Sequence, residues 1–257
     1  MWLGIDFGTT NTSSALFDGH KLQYIPLDPK NASEHNLRSM IYIDRKQRVR
    51  LGVDAVQTFL RDDTGRESLF EDKVVGTIEN TVARQERGVG DVDEALTIVY
   101  DVVISDDVAI RGRLLQSIKT ALRSPAYKGT QVFEKFYTVE QLIALLLKQV
   151  RDKSEQHLNQ PIHQAVIGRP VTFSHDAKTD CIAEEKIRQA AKLAGFTDVV
   201  FAPEPVAAAA FYVNNSHKDE TVLVFDFGGG TLDLTVLEAT ATGQQRVLAS
   251  SGILLGG

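Results

Sequence analysis

Over the first 26 residues, apolar positions come in short runs separated by turn residues. Leu3-Gly4-Ile5 is followed by Gly8-Thr9-Thr10-Asn11, then Ala15-Leu16-Phe17, the pair Asp18-Gly19, and Leu22 and Ile25. Asp-Gly between apolar runs is a hairpin signal, because both residues tolerate the positive φ angles that a tight turn requires. The pattern predicts three antiparallel strands. From about 40 to 130 it weakens into charged, glycine-spaced stretches with two helix candidates, 54–60 and 110–122, which predicts a solvated peripheral subdomain carried on the main sheet.

Order returns at Thr138. Thr138 and Gln141 have capping-box spacing, and Leu142, Leu145, Leu146 and Val150 recur at helical intervals, so an amphipathic helix starts here. Ala165-Val166-Ile167-Gly168 reads as a buried strand ended by Arg169-Pro170, and 176–194 as a helix closed by Gly195. Val199-Val200-Phe201 is a further strand, and Pro205 falls in the first turn of a helix through 207–210. This alternation implies parallel strands covered by helices. After a polar break, Val222-Leu223-Val224-Phe225 leads into Asp226-Phe227-Gly228-Gly229-Gly230-Thr231 and a second apolar run. That order repeats the opening, Gly4-Ile5-Asp6-Phe7-Gly8-Thr9-Thr10, 220 positions on, and is a sign of duplicated lobes.

Composition narrows the function classes. A chain of 257 residues has room for one large domain or two modest ones, and a net charge of −6 argues against a broad nucleic-acid surface. The longest apolar run, 206–213, is far below the ~20 residues of a membrane-spanning helix, and the N-terminus lacks a basic leader, so neither membrane nor nucleic acid is an expected partner and the cytoplasm is the expected compartment. The single cysteine, Cys181, lies inside a helical pattern where packing is its expected role. His20, His35, His157, His163, His175 and His217 show no metal-ligand spacing.

The repeated segment carries the chemistry. A strand ending in Asp, followed by a turn of Gly and Thr, brings unhindered N–H groups and hydroxyls together beside a carboxylate, and such concavities bind phosphate oxygens. The carboxylate suits hydrated magnesium, which accepts only one or two protein oxygens. Either loop alone reads better as a plain hairpin turn. Turn geometry, however, does not call for an acidic residue at the same strand end twice. Other phosphate motifs fail: the chain has no Gly-x-x-x-x-Gly-Lys-Ser/Thr, no Gly-x-Gly-x-x-Gly after a strand, and no His-Arg-Asp to accompany Asp-Phe-Gly as in protein kinases.

These residues resemble the actin-like ATPases and, among them, the DnaK-type heat-shock chaperones. Gly4-Ile5-Asp6-Phe7-Gly8-Thr9-Thr10-Asn11 is similar to that family's first phosphate loop and Phe225-Asp226-Phe227-Gly228-Gly229-Gly230-Thr231-Leu232-Asp233 to its second. Ala202-Pro203-Glu204-Pro205-Val206-Ala207-Ala208-Ala209, preceded by Ala194-Gly195-Phe196, resembles its Glu-Pro-Thr-Ala-Ala-Ala connecting helix. Between 40 and 130 the likeness is to the divergent YegD-like branch.

The resemblance implies an α/β, ribonuclease H-like fold with a mixed sheet flanked by helices, and a stress-response ATPase binding ATP or ADP with Mg2+. It implies Asp6 and Asp226 around the hydrated metal, Gly8, Thr9, Thr10, Asn11, Gly228, Gly229, Gly230 and Thr231 on the phosphates, and Asp233 acting through water. Asp226 or Glu204 would orient the attacking water, and Thr231 stands with the catalytic set. A lysine that stabilises transferred charge is expected at Lys119, in Ser117-Ile118-Lys119-Thr120-Ala121-Leu122, with Lys73 as competitor; Arg123 stands where the family usually has Gly. Arg169-Pro170 resembles the proline that couples nucleotide state to the substrate domain, and reads equally as a strand terminator.

The resemblance further implies that residues 1–220 form a complete first lobe, with the 40–130 subdomain inserted, and that 221–257 only begin a second. The chain is then expected to be an N-terminal fragment, binding ATP weakly and inactive alone, with peptide clients and co-chaperones reached only through absent C-terminal regions. Two alternatives share the fold: a sugar or small-molecule kinase, and a filament-forming actin-like protein.

Overall fold

The structure is a computed structural model of the chain and describes residues 1–82, 96–216, 218–242 and 244–255. His217 and the closing pair Gly256-Gly257 lie outside the described residues. Two compact units are present, one of Met1–Arg61 with Gly112–Gly257, the other of Asp62–Arg111.

In the larger unit the three opening strands form as expected: β1 (Trp2–Phe7), β2 (Asn11–Phe17) and β3 (Leu22–Tyr24), each antiparallel to the next. The Asp18-Gly19 turn is held by the Asp18 carboxylate, which accepts the His20 and Lys21 amides, and Gly19 takes φ +99°. β4 (Asn36–Arg38) pairs with the first residues of β2. β5 (Ile41–Asp44) and β6 (Val49–Leu51) lead into α1 (Gly52–Asp62), where the Asp28 carboxylate accepts the Val53 amide and so satisfies one of the orphan donors of the first turn. Ile41, Tyr42 and Ile43 are fully buried, so the charged stretch after residue 40 contributes directly to the core.

The smaller unit is a long ribbon of β7 (Phe70–Val82) and β8 (Leu96–Asp107), antiparallel with a bulge between Val74 and Gly76. Phe70, Ile78, Tyr100 and Ile104 are exposed on it. Asp107 fixes its base: the Arg66 guanidinium donates to it at 2.6 Å and the Leu69 and Ala109 amides at 3.1 Å, and the arginine bond first of all holds this carboxyl down to about 2.

The chain re-enters the larger unit through β9 (Gly112–Leu115), which completes a three-stranded sheet in the order β6-β5-β9. The helix expected at 110–122 does not form. Pairing with β5 takes up Gly112 to Leu115, Ser117 at φ +54° breaks the run, and only a 3-10 helix, Ile118–Arg123, follows. Gly112 is required by the close approach of the Tyr42 ring, which a Cβ would strike.

The hairpin of β10 (Gly129–Val132) and β11 (Lys135–Thr138) feeds α2 (Val139–Leu158). The capping box is reciprocal: the Gln141 amide donates to Thr138 Oγ1 at 3.2 Å and the Thr138 amide to Gln141 Oε1 at 3.1 Å. β12 (Gln164–Arg169) lies parallel to β1, and β13 (Asp198–Pro203) lies parallel to β12. Between them runs α3 (Ala177–Leu193), capped by Asp176 and ended at Gly195, whose φ of +98° only glycine adopts freely. The central sheet therefore reads β13-β12-β1-β2-β3, a mixed sheet with helices packed on it. Leu3, Ile5 and Phe7 form its buried face with Ile143, Leu146 and Leu147 of α2 and Ile187 of α3.

α4 (Glu204–Ser216) starts directly at the end of β13, with Pro205 in its first turn, where a missing N–H is harmless. An antiparallel sheet of β14 (Glu220–Phe227), β15 (Leu232–Ala239) and β16 (Gln245–Ile253) follows, and Val222, Val224 and Leu237 pack with Ala209 and Val213 of α4. Cys181 departs from expectation: it is exposed, on the solvent side of α3, and has no packing role. Among the described residues no helix is long and apolar enough to cross a membrane.

Candidate functional site

The repeat seen in the sequence is also a repeat of strand register. In the first hairpin Leu3, Gly4, Ile5, Asp6 and Phe7 face Leu16, Ala15, Ser14, Ser13 and Thr12; in the other, Leu223, Val224, Phe225, Asp226 and Phe227 face Val236, Thr235, Leu234, Asp233 and Leu232. Every pair is displaced by the same 220 positions, so Asp6 and Asp226 occupy equivalent places at the ends of their first strands.

The turns that follow meet each other. A Cβ added at Gly229 would lie 2.6 Å from Thr10 Oγ1, and one at Gly230 would lie 3.0 Å from Thr9 Oγ1 and 2.7 Å from Arg123 Nη2. Glycine at these positions lets the backbone of one loop approach the side chains of the other. Within each loop the chain also turns tightly: a Cβ on Gly8 would strike the Asn11 carbonyl oxygen, and the Gly228 amide donates to the Thr231 carbonyl at 2.9 Å. The Arg123 guanidinium donates to the Gly230 carbonyl.

Beneath the loops is a cleft of about 850 Å³. Asp6, Gly8, Thr9, Thr10, Asn11, Lys119, Glu204, Asp226, Gly228, Gly229, Gly230 and Thr231 all line it. Two further elements bring in the ion pair. The 3-10 helix carries Lys119, whose ammonium donates to Glu204 Oε1 at 2.8 Å, and Glu204 opens α4 where the parallel strand β13 ends. The Glu204 side chain passes over Gly168, where a Cβ would lie 3.1 Å from Glu204 Cγ. Lys73, by contrast, is on β7 of the other unit, opposite Ile104.

Asp233 is not in the cleft lining. It is 1% exposed, and among the described residues neither carboxylate oxygen has a hydrogen-bond partner. Burial raises its pKa, with Glu204 and Asp226 adding to the rise; the Val171 amide and Thr231 hydroxyl, near but outside bonding geometry, oppose only part of it. Arg169 donates to Asp180 at 2.6 Å and Glu184 at 2.7 Å, which ties the end of β12 to α3, and Pro170 follows as the ladder stops.

The donor set fits a divalent cation. Glu204 and Asp226 are near enough to repel the Asp6 carboxylate, and among the described residues Lys119 is the cation that opposes them there. Asp6 keeps an exposed edge toward the cleft, yet the enclosing walls act on it most strongly: desolvation, then Glu204, push its pKa up to about 6. Among the described residues no three His, Cys, Asp or Glu groups converge to hold an ion directly. Magnesium, which keeps most of its waters, needs only one or two such oxygens. The pair Asp6 and Asp226 would supply them.

A pH dependence follows. Asp6 holds its proton more firmly folded (about 6) than at its ordinary value of 3.8, so through this group stability falls as pH rises from about 4 to 6 and levels off above. Asp6→Asn is expected to flatten that part of the curve and raise the melting temperature at pH 7. Thermal unfolding of both proteins from pH 4 to 8 checks this; identical slopes would assign the dependence elsewhere.

Comparison with known proteins bears on the same residues. The family model described as Hsp70 protein matches residues 2–257. Chaperone protein DnaK of Thermus thermophilus is 30% identical over 250 residues, covering 97% of this chain and 34% of that protein. Chaperone protein DnaK of Thermoplasma volcanium is 37% identical over 149 residues, covering 56% of this chain and 23% of that protein. The chain thus spans about a third or less of the length of these relatives. The matches support the DnaK reading over a sugar kinase or a filament-forming protein, and the mixed sheet agrees with the actin-like ATPase fold. With a match running almost from end to end and taking in both loops and the segment that joins them, the chain belongs to the Hsp70 family.

Proposed function

We propose that this chain is the ATP-binding and ATP-hydrolysing module of a DnaK-like molecular chaperone, in which residues 1–220 form one lobe and 221–257 begin the other. The observation that carries this reading is the pair of hairpins in matched register, whose loops meet beside Asp6, Lys119, Glu204 and Asp226.

The roles are those that the resemblance to the family implies for these positions, and the chemistry of each group supports them. Backbone amides of Gly8 to Asn11 and Gly228 to Thr231, with the Thr9, Thr10 and Thr231 hydroxyls, cradle the phosphates of ATP or ADP. Asp6 and Asp226 would hold the hydrated Mg2+, which when bound would neutralise phosphate charge. Glu204 or Asp226 accepts a hydrogen bond from the attacking water and orients it. Lys119, steadied by Glu204, presents positive charge to the transferred phosphoryl group. Asp233, buried opposite Asp226 on the neighbouring strand, acts on the cluster through water. Phosphoryl transfer needs mainly positioning and charge stabilisation, so this set suffices without a covalent nucleophile. Peptide clients and co-chaperones would be engaged by the rest of a longer cytoplasmic protein.

Calorimetric titration of Mg·ATP into the chain, carried to millimolar nucleotide, tests the reading. Saturable heat that disappears in the Asp6→Asn/Asp226→Asn double variant is the expected result. Unchanged binding in the double variant would refute it.

A further inference from the structure

We propose that Arg123, at the rim of the cleft, is a specificity-determining residue that contacts the terminal group of a bound phosphate chain and makes the site favour a triphosphate over a diphosphate. The inference rests on the phosphate-binding reading above and goes beyond it by naming what sets the preferred chain length.

Arg123 closes the 3-10 helix that also carries Lys119. Its guanidinium reaches the Gly230 carbonyl, at the place where Gly230 comes up against the Thr9 hydroxyl. The side chain therefore stands where the tips of the two loops meet. Gly230 and Thr9 line the cleft and Arg123 does not, so the guanidinium stands at its rim, where a phosphate chain long enough to extend to the loop tips would meet it.

The charges of the two cations are disposed differently. Lys119 is committed to Glu204 at 2.8 Å. Among the described residues no carboxylate forms an ion pair with Arg123, and its acceptor is one neutral carbonyl, that of Gly230. A half-buried guanidinium with five donors and one neutral partner has more to gain from an oxyanion, which it can bind through two parallel bonds. Exchanging the Gly230 carbonyl for phosphate oxygens would also release the second loop from its latch. A chain of two phosphates lying in the cradle leaves that exchange unmade, and a third group completes it.

Phosphate chains without a nucleoside isolate this effect. The chain would be titrated with Mg·tripolyphosphate and Mg·pyrophosphate, alongside Arg123→Ala and Arg123→Gln, the second keeping a donor for Gly230 but no charge. Wild type is expected to favour tripolyphosphate, and both variants to lose about tenfold of that preference while still binding pyrophosphate. Arg123→Gln also separates binding from folding, since a purely structural latch survives in it. If Arg123→Gln keeps the wild-type ratio, the proposal is overturned and the cradle reading stands. If wild type binds neither polyphosphate, the cradle reading fails and the proposal falls with it.

Discussion

In a longer protein that carries this module, Lys119→Ala is expected to lower ATP turnover about 10²- to 10³-fold, the loss typical when one preorganised donor is removed from a developing charge. It is also expected to destabilise the fold. The Lys119–Glu204 pair is mostly buried, with 10% and 18% of the side chains exposed, and taking away one partner leaves a carboxylate uncompensated beside two others. That situation costs about 3 kcal/mol. The two consequences separate in the Lys119→Ala/Glu204→Gln double variant, which removes the stranded charge. Its stability should recover most of the loss while turnover stays low, because the charge that faces the phosphoryl group is still missing. Urea unfolding of the wild type, both single variants and the double variant reads the coupling directly. Additive stability effects would show that the pair is not the unit described, and undiminished turnover in Lys119→Ala would remove the lysine from the site.

The two loops are equivalent in register but not in tolerance, and the difference is sharp enough to measure. A Cβ on Gly8 would run into the Asn11 carbonyl oxygen, a backbone atom that cannot swing aside, so Gly8→Ala must open the first loop. A Cβ on Gly228 would meet only the Thr231 carbonyl at 3.7 Å, ordinary contact. Gly8→Ala is therefore expected to cost about 1–3 kcal/mol, the usual range for overpacking, and to weaken polyphosphate binding, while Gly228→Ala changes both little. Denaturant midpoints and calorimetry on the two variants decide it. Equal effects at both glycines would mean that the close approach at Gly8 relaxes freely.

Much of this arrangement was legible in the residues because local rules and the fold agree there. Thr138 and Gln141, Asp18-Gly19 and Gly195 each announce a cap or turn through short-range chemistry, and each forms where the pattern puts it. The repeat of Asp-Phe-Gly was legible for a different reason: identical strand ends need identical register, and the register proved constant over five pairs. What escaped was set by distant partners. Residues 112–115 look helical in isolation, but the free edge of β5, many residues earlier, claims them as a strand. The β7–β8 ribbon was missed although Val74, Val75, Ile78, Tyr100, Val102, Val103 and Ile104 are good strand formers, because charged residues interleave with them and a bulge interrupts the alternation. Cys181 looked like a core residue only because its helix is amphipathic; which face is buried depends on where α3 lies against the sheet. Arg123 stood out in the sequence only as a departure from glycine, and its contact with Gly230 depends on a chain separation of 107 residues.

The central claim is that the carboxylates at the two repeated strand ends serve one nucleotide. A crystal structure of the chain grown with Mg2+ and a non-hydrolysable ATP analogue tests it most directly. The account predicts phosphate density between Gly8 to Asn11 and Gly228 to Thr231, with the waters of a single Mg2+ facing both Asp6 and Asp226. Nucleotide bound away from these loops, or a metal attended by neither carboxylate, would contradict it.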